Sequence, residues 1–315
     1  MKITILDRST VTNGDISLEP IERLGDTKSY DILPHEKLAQ AIADSECVIC
    51  NKAQITKDVM EKCPKLKFVG LFATGYNNVD IKYAAEHGIT VCNVPGYSTD
   101  SVAQLTFALI LQLTTHLSEY TSSVAAGDWV SSKSFTYFPY AISELAGKTL
   151  GIYGFGTIGK AVAKIADAFN MKVIVYKRNN DGCDGYEYVT PEQLFSRSDF
   201  VTLHCPLNDD SKELICEKTL SLMKPTAYLI NTARGGCVNE KELADALNGG
   251  RIAGAGIDVL TVEPMLSENP LLSAKNCYIT PHVAWASYEA RERLIYKVAE
   301  NIAAYQKGMP INKVN

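Results

Sequence analysis

The stretch from Lys148 to Arg178, KTLGIYGFGTIGKAVAKIADAFNMKVIVYKR, leaves few folds open to the chain. Leu150-Gly-Ile-Tyr reads as a short buried parallel strand and opens directly onto Gly154-Phe155-Gly156-Thr157-Ile158-Gly159. A helix follows, with Ala161, Val162, Ile165, Ala166 and Phe169 at helical spacing and Asn170 placed as a left-handed stop. Val173-Ile-Val-Tyr176 then supplies a second β-branched run, which completes a βαβ unit. Glycines spaced this way between a strand and a helix have separate tasks: a tight turn, close approach of a pyrophosphate to the backbone, and contact of helix with strand. The helix N-terminus then faces the phosphates. At the end of the second strand, an acidic residue would accept hydrogen bonds from both ribose hydroxyls and repel a 2′-phosphate. Lys177 and Arg178 stand there instead, followed by Asn179, which predicts that NADP(H) is preferred with residual use of NAD(H).

At 315 residues the chain has room for two domains. Its 46% hydrophobic and 21% charged residues are ordinary for a globular protein, and a net charge of -5 argues against a nucleic-acid partner. The nine cysteines follow no repeated spacing, and Cys47-Val-Ile-Cys50 lies in an apolar run that reads as buried thiols in a reducing cytoplasm. Ala103–Leu113, the longest apolar stretch, is far below the roughly 20 residues a membrane span needs, so no membrane association is expected. Before residue 98, strand-like runs at Ile3–Leu6, Val48–Ile49, Phe68–Phe72 and Thr90–Val94 alternate with helical segments Glu36–Ala43 and Ile81–His87. The expected fold class is therefore α/β: a Rossmann-type doubly wound parallel sheet plus a second, flavodoxin-like α/β domain.

A helical pattern from Ser101 to about Ala126 is apolar over most of its surface and needs cover on several sides, from a second subunit or from its own. Residues 127–146 are rich in aromatics, with Trp129, Phe135, Tyr137, Phe138 and Tyr140, and suit core, interface or lid. Further on, Phe200–Pro206, Ala227–Asn231, Ala255–Val259 and Cys277–Thr280 read as short apolar strands ending in polar residues, and chemistry gathers at their ends. Arg234 follows the second, Glu263-Pro264 the third and His282 the fourth. Each alone has an ordinary explanation as an ion pair, a solvated carboxylate or a loop histidine. In a parallel sheet, however, all three strand ends share the edge that presents the glycine loop, so a cation, a carboxylate and an imidazole can converge beside a dinucleotide.

Gly154–Gly159, Asn231-Thr-Ala-Arg234-Gly-Gly, Gly256-Ile-Asp258-Val with Glu263-Pro264, and Thr280-Pro-His282 together resemble the D-isomer-specific 2-hydroxyacid dehydrogenase family over nearly the whole chain. Within it, Ala73-Thr-Gly-Tyr-Asn-Asn-Val-Asp80, Asn93-Val-Pro-Gly-Tyr-Ser and Pro281-His-Val-Ala-Trp285 are most similar to members acting on hydroxypyruvate. The resemblance implies a discontinuous substrate domain, residues 1–97 and 288–315, around a dinucleotide domain, 98–287, with the active site in the cleft and a homodimer as the assembly. It implies Arg234, Glu263 and His282 as catalytic, with Thr74, Gly75, Arg234 and His282 meeting the substrate. It also places His204, Cys205, Pro206, Thr232, Ala233 and Asp258 along the cofactor, and no metal is called for.

The groups themselves suit this chemistry. Reduction of a 2-oxo acid needs a hydride, a proton for the carbonyl oxygen and a cation for the carboxylate. Arg234 offers a planar fork that binds two oxygens. His282 suits the proton donor, and an ionised Glu263 would orient the imidazole and favour its protonated form. The expected reaction is hydride transfer between NAD(P)H and a small 2-oxo acid, hydroxypyruvate/D-glycerate foremost and glyoxylate/glycolate beside it. A 2-oxo acid reductase of other preference and a corepressor-like nucleotide sensor of the same fold are the alternatives.

Overall fold

The computed structural model describes residues 1–179 and 182–315. By its contacts the chain divides into two units, Met1–Ser98 with Ala286–Asn315, and Thr99–Trp285.

In the first unit, β1 (Lys2–Ile5), β2 (Asp26–Ser29), β3 (Cys47–Cys50), β4 (Phe68–Leu71) and β5 (Thr90–Cys92) pair in parallel in the order β2-β1-β3-β4-β5. That is the flavodoxin-like order. β3 and β4 are buried at every position, as continuous apolar runs in a sheet covered on both faces require. β2, Asp-Thr-Lys-Ser, sits at the edge with no residue fully buried, so it carries no apolar signal in the sequence. The terminal helix Tyr288–Gln306 is capped by Ser287, whose hydroxyl accepts the Ala290 amide. Its stripe of Leu294, Ile295, Val298 and Ile302 is buried, and Tyr305 meets Phe68 with ring centroids 4.8 Å apart. Arg291 grips Asp15 through both carboxylate oxygens, at 3.0 and 2.7 Å, which holds that carboxyl far below the usual range. Buried Asn301 donates to the Asn93 carbonyl and accepts from Asn312, which ties the tail to the end of β5. Cys47 and Cys50 are fully buried with thiols pushed up by desolvation, as inert core groups.

The second unit holds β6 (Thr149–Tyr153), β7 (Lys172–Tyr176), the two-residue β8 (Glu187–Tyr188), β9 (Phe200–Leu203), β10 (Tyr228–Asn231), β11 (Gly254–Ile257) and β12 (Cys277–Ile279). All pair in parallel, in the order β12-β11-β10-β9-β6-β7-β8. The order reverses between β6 and β9, the switch point at which such sheets take up ligands. Two cores flank the sheet. One is built on Leu194, Phe195 and Leu243, the other on Phe107, Ile110 and Val162.

The long helix expected from Ser101 to Ala126 is two helices, Thr99–Thr115 and Leu117–Ala125. His116 between them is left-handed at φ 50°, and its ring stacks on Tyr140. No glycine or proline marks this break, and histidine is among the side chains that reach that region most readily. The first helix is covered within its own unit. It buries Val102, Ala103, Phe107, Leu109, Ile110 and Leu113 against β10, β11 and the helix Thr157–Ala168, at about 1.5–3 kcal/mol for each large apolar side chain. The second helix buries none of its residues. Among the described residues no helix is long and apolar enough to cross a membrane.

Candidate active site

The glycine loop follows β6 without a break. Gly154 has φ +103°, and a Cβ there would lie 2.6–2.7 Å from backbone atoms of His204 and Cys205. A side chain would therefore drive β9's outgoing loop away. A Cβ on Gly159 would meet the Gly154 carbonyl oxygen at 2.4 Å, so this glycine lets the helix Thr157–Ala168 rest on the loop. Gly156 differs, since nothing lies within 4 Å of its Cβ position, and it caps the N-terminus of that helix. Two glycines thus shape the cradle while the third leaves its mouth open, where a pyrophosphate meets the helix N-terminus. Phe155 is buried against Tyr186, Thr157 is exposed and Ile158 is half-buried.

Beyond β7, the Lys177 ammonium donates to the Gly182 carbonyl at 3.2 Å, and Asn179 is exposed. Arg178 pairs with Asp210 at 2.5 Å, with both side chains mostly in solvent. Asp210 comes from the loop after β9, so sequence spacing relative to the glycines does not reveal it. An exposed pair of this kind contributes about 0–1 kcal/mol, which leaves the guanidinium open to a stronger anion.

The loop beginning His204-Cys205-Pro206 crosses Gly154 with its backbone. Both nitrogens of the His204 ring are sealed from solvent without a hydrogen-bond partner among the described residues, and desolvation pushes the group down to about 3. It is a neutral imidazole, not a phosphate-binding cation. Cys205 is partly exposed and Pro206 exposed.

Asn231, at the end of β10, builds the turn that carries Arg234. Its amide oxygen accepts the Ala233 N–H at 3.0 Å and its amide nitrogen donates to the Arg234 carbonyl at 2.9 Å. Thr232 bonds Thr106 at 3.1 Å, which fixes the same turn to the buried helix. The Arg234 guanidinium donates to the Ala233 carbonyl at 2.7 Å and the residue is exposed. A Cβ at Gly235 would fall 1.9 Å from the Leu260 carbonyl carbon, so the Arg234 turn packs directly on the loop after β11. In that loop the Leu260 amide donates to Glu263 Oε1 at 3.0 Å.

Glu263 Oε2 lies 2.7 Å from His282 Nδ1. The side chains of Glu263 and His282 keep 33% and 27% of their surface. His282 is left-handed at φ 55°, with its amide donating to the Asp258 and Thr280 carbonyls at 2.8 and 2.9 Å. Asp258 is 1% exposed and accepts from the Thr280 hydroxyl at 2.6 Å and the Val283 and Ala284 amides at 2.9 Å each. Burial raises its carboxyl from the usual range, and those three donors act against the rise. Asp258 therefore organises the loop that aims His282. Arg234, Glu263 and His282 accordingly stand on neighbouring loops at one sheet edge, the edge of Gly154–Gly159.

In the other unit, Thr74 follows β4, with its hydroxyl donating to the Val94 carbonyl at 2.8 Å. Its carbonyl accepts from Asn93 at 2.7 Å. Among the described residues no acceptor stands against the amides of Thr74 and Gly75. No cluster of three or more metal-ligating side chains occurs among the described residues.

A doubly wound sheet with a dinucleotide cradle, a guanidinium and a carboxylate-held imidazole on one edge defines a nicotinamide-dependent oxidoreductase. Residues 107–284 match the model for the D-isomer specific 2-hydroxyacid dehydrogenase NAD-binding domain. The chain belongs to the D-isomer specific 2-hydroxyacid dehydrogenase family. It is 40% identical to a hydroxypyruvate reductase of Blautia hydrogenotrophica over the full length of both. A glyoxylate reductase of Thermococcus litoralis is 44% identical, over 83% of this chain and 81% of its own. Among solved structures, an NADPH-dependent glyoxylate/hydroxypyruvate reductase of Sinorhizobium meliloti, in complex with NADP and malonate, aligns with TM-score 0.85 at 29% identity. That alignment covers 99% of this chain and 96% of the other.

Proposed function

We propose that the enzyme reduces hydroxypyruvate to D-glycerate, and glyoxylate to glycolate beside it, with NADPH as the preferred donor. The observation that carries this is the 2.7 Å contact between Glu263 and His282 on the edge shared with the Arg234 turn and the glycine cradle. A bound nicotinamide supplies the hydride. Arg234 holds the substrate carboxylate and carbonyl oxygen in its fork, and His282, with Nδ1 committed to Glu263, delivers the proton to that oxygen from Nε2. The free amides of Thr74 and Gly75 are proposed as further donors to the carboxylate. Phe155, Thr157 and Ile158 line the cradle with its glycines, and Cys205, Pro206, Thr232 and Ala233 flank the cofactor. Of His204 the backbone serves this role, and Asp258 reaches the nicotinamide side only through the loop it organises. The names of the relatives support the substrate pair. Steady-state kcat/KM for hydroxypyruvate, glyoxylate, pyruvate and larger 2-oxo acids tests it, with chiral analysis of the glycerate formed. Failure to turn over hydroxypyruvate and glyoxylate, or formation of L-glycerate, refutes it.

The preference for NADPH rests on Lys177, Arg178 and Asn179 as donors to the 2′-phosphate. A doubly charged phosphate outcompetes Asp210 for Arg178, since charge-assisted bonds contribute about 1.5–3 kcal/mol. Arg178→Ala is expected to lower kcat/KM for NADPH by roughly 10–100-fold and to leave NADH almost untouched. Equal losses with both cofactors would remove the clamp.

A homodimer is proposed through the segment 117–142. There Val130, Phe135, Phe138 and Ile142 are 90%, 88%, 77% and 62% exposed, on an arm folded by Trp129 donating to the Phe135 carbonyl and Tyr120 to the Tyr140 carbonyl. Large apolar side chains exposed together on one arm suit burial against a second subunit. Sedimentation equilibrium at micromolar concentration should return twice the chain mass. Phe135→Asp with Phe138→Asp should return a folded monomer, and a monomeric wild type would count against the interface.

A further inference from the structure

Just past β5, three asparagines form a chain of hydrogen bonds that runs in one direction and ends on the Thr74-Gly75 turn. Asn312 donates from its side chain to Asn301 Oδ1 at 2.9 Å, and buried Asn301 donates to the Asn93 carbonyl at 2.8 Å. Asn93, itself buried, donates from its side-chain amide to the Thr74 carbonyl at 2.7 Å. The Asn93 N–H returns to the Asn312 carbonyl at 3.2 Å, which closes a ring between the terminal helix, the tail and the segment after β5. Backbone carbonyls only accept, so those of Thr74 and Asn93 fix which way the Asn93 and Asn301 amides are turned. Two more bonds tie the turn to the same segment. The Val94 N–H donates to the Ala73 carbonyl at 2.9 Å, and the Thr74 hydroxyl donates to the Val94 carbonyl at 2.8 Å.

We propose that Asn93 is a positioning residue for the reaction: through the Thr74 carbonyl it aims and strengthens the Gly75 N–H as a donor to the substrate carboxylate. The carbonyl that Asn93 holds and the Gly75 N–H belong to one peptide unit. That unit is planar and trans, the cis bond among the described residues being Glu263-Pro264. Its C=O and N–H therefore point in opposite directions, and anchoring the oxygen on Asn93 sets the line along which the N–H points. A bond accepted at the oxygen also draws electron density from the nitrogen, which strengthens the N–H as a donor by on the order of 10–30%. The Thr74 N–H is served in the same way, since its own peptide oxygen, on Ala73, accepts the Val94 N–H. There the donor is backbone, whereas at Gly75 it is a side chain that substitution can remove. A carboxylate is bound alike before and during hydride transfer, so the contribution belongs to KM and not to kcat.

This role rests on the one proposed for the Thr74 and Gly75 amides, and the two are read separately. Asn93→Ala keeps the backbone bonds to Asn301 and Asn312 and removes only the donor to Thr74. It should raise KM for hydroxypyruvate roughly 3–10-fold, with kcat within about twofold of wild type and NADPH affinity unmoved. The inhibition constant of oxamate, a 2-oxo acid mimic that takes no hydride, should rise by the same factor. In NMR spectra of the NADPH-loaded enzyme with isotope-labelled glycines, oxamate should move the Gly75 amide proton downfield in the wild type and less so in Asn93→Ala. Asn315→Ala frees the tail from the Val91 amide and the Ile89 carbonyl without touching the three asparagines, and should leave KM as it is. Should Asn93→Ala misfold, Asn93→Ser, whose hydroxyl is too short to take over the bond, serves for the same measurements. A Gly75 proton that oxamate does not move in the wild type overturns the donor role of the turn itself. Equal movement in both proteins, an unchanged KM, a loss confined to kcat, or an equal rise of KM in Asn315→Ala overturns the positioning role of Asn93 alone.

Discussion

His282→Ala is expected to lower kcat by about 10²–10⁴-fold, the range that loss of a positioned proton donor produces. Dinucleotide affinity should stay near its wild-type value, because the cradle is held by Gly154 and Gly159 against their own backbone neighbours and not by the histidine loop. Stopped-flow reduction and fluorescence titration with NADPH separate the two quantities. Retention of most of kcat would assign the proton to another group. Glu263→Gln gives the companion measurement: an amide keeps a hydrogen bond to Nδ1 but not the charge, so activity should survive in part with an altered pH profile.

The second large effect is expected at Arg234. Lysine keeps the charge but loses the planar fork, so Arg234→Lys should raise KM and lower kcat together, with kcat/KM falling by two orders of magnitude or so. A change confined to KM would make Arg234 a ground-state anchor whose interaction does not strengthen as the alkoxide forms. The geometry favours the stronger outcome, because the turn is fixed from both sides, by the Asn231 amide and by the contact of Gly235 with Leu260.

How far these residues could be read from the chain depended on the kind of signal each one leaves. The βαβ unit and its glycines were legible because a glycine that only backbone contact can explain has no substitute. Arg234, Glu263 and His282 were legible as strand-end residues, since parallel topology brings such ends to one edge whatever lies between them. Asn231 stood within a recognisable motif without a role, because hydrogen bonds that return to the same turn have no period. Asp210 was invisible, as its partner Arg178 follows another strand. β2 and the break at His116 were missed for a related reason: an edge strand needs no apolar face, and a left-handed histidine resembles any helical residue in sequence.

The unpartnered imidazole of His204 gives this nucleotide-binding unit a proton debt that comes due only on unfolding. In the native state the ring stays neutral down to about pH 3, while in the unfolded chain it takes up a proton near 6.5. Between those values the unfolded state holds one proton more, so stability is full above about pH 6.5 and falls by up to about 1.4 kcal/mol for each pH unit below it. Denaturant midpoints measured from pH 7 to 5 for the wild type and His204→Leu should diverge with that slope. Parallel curves would mean that the ring finds a partner in solution. Mild acid thus weakens the unit that carries the glycine cradle through a residue that stands apart from Arg234, Glu263 and His282.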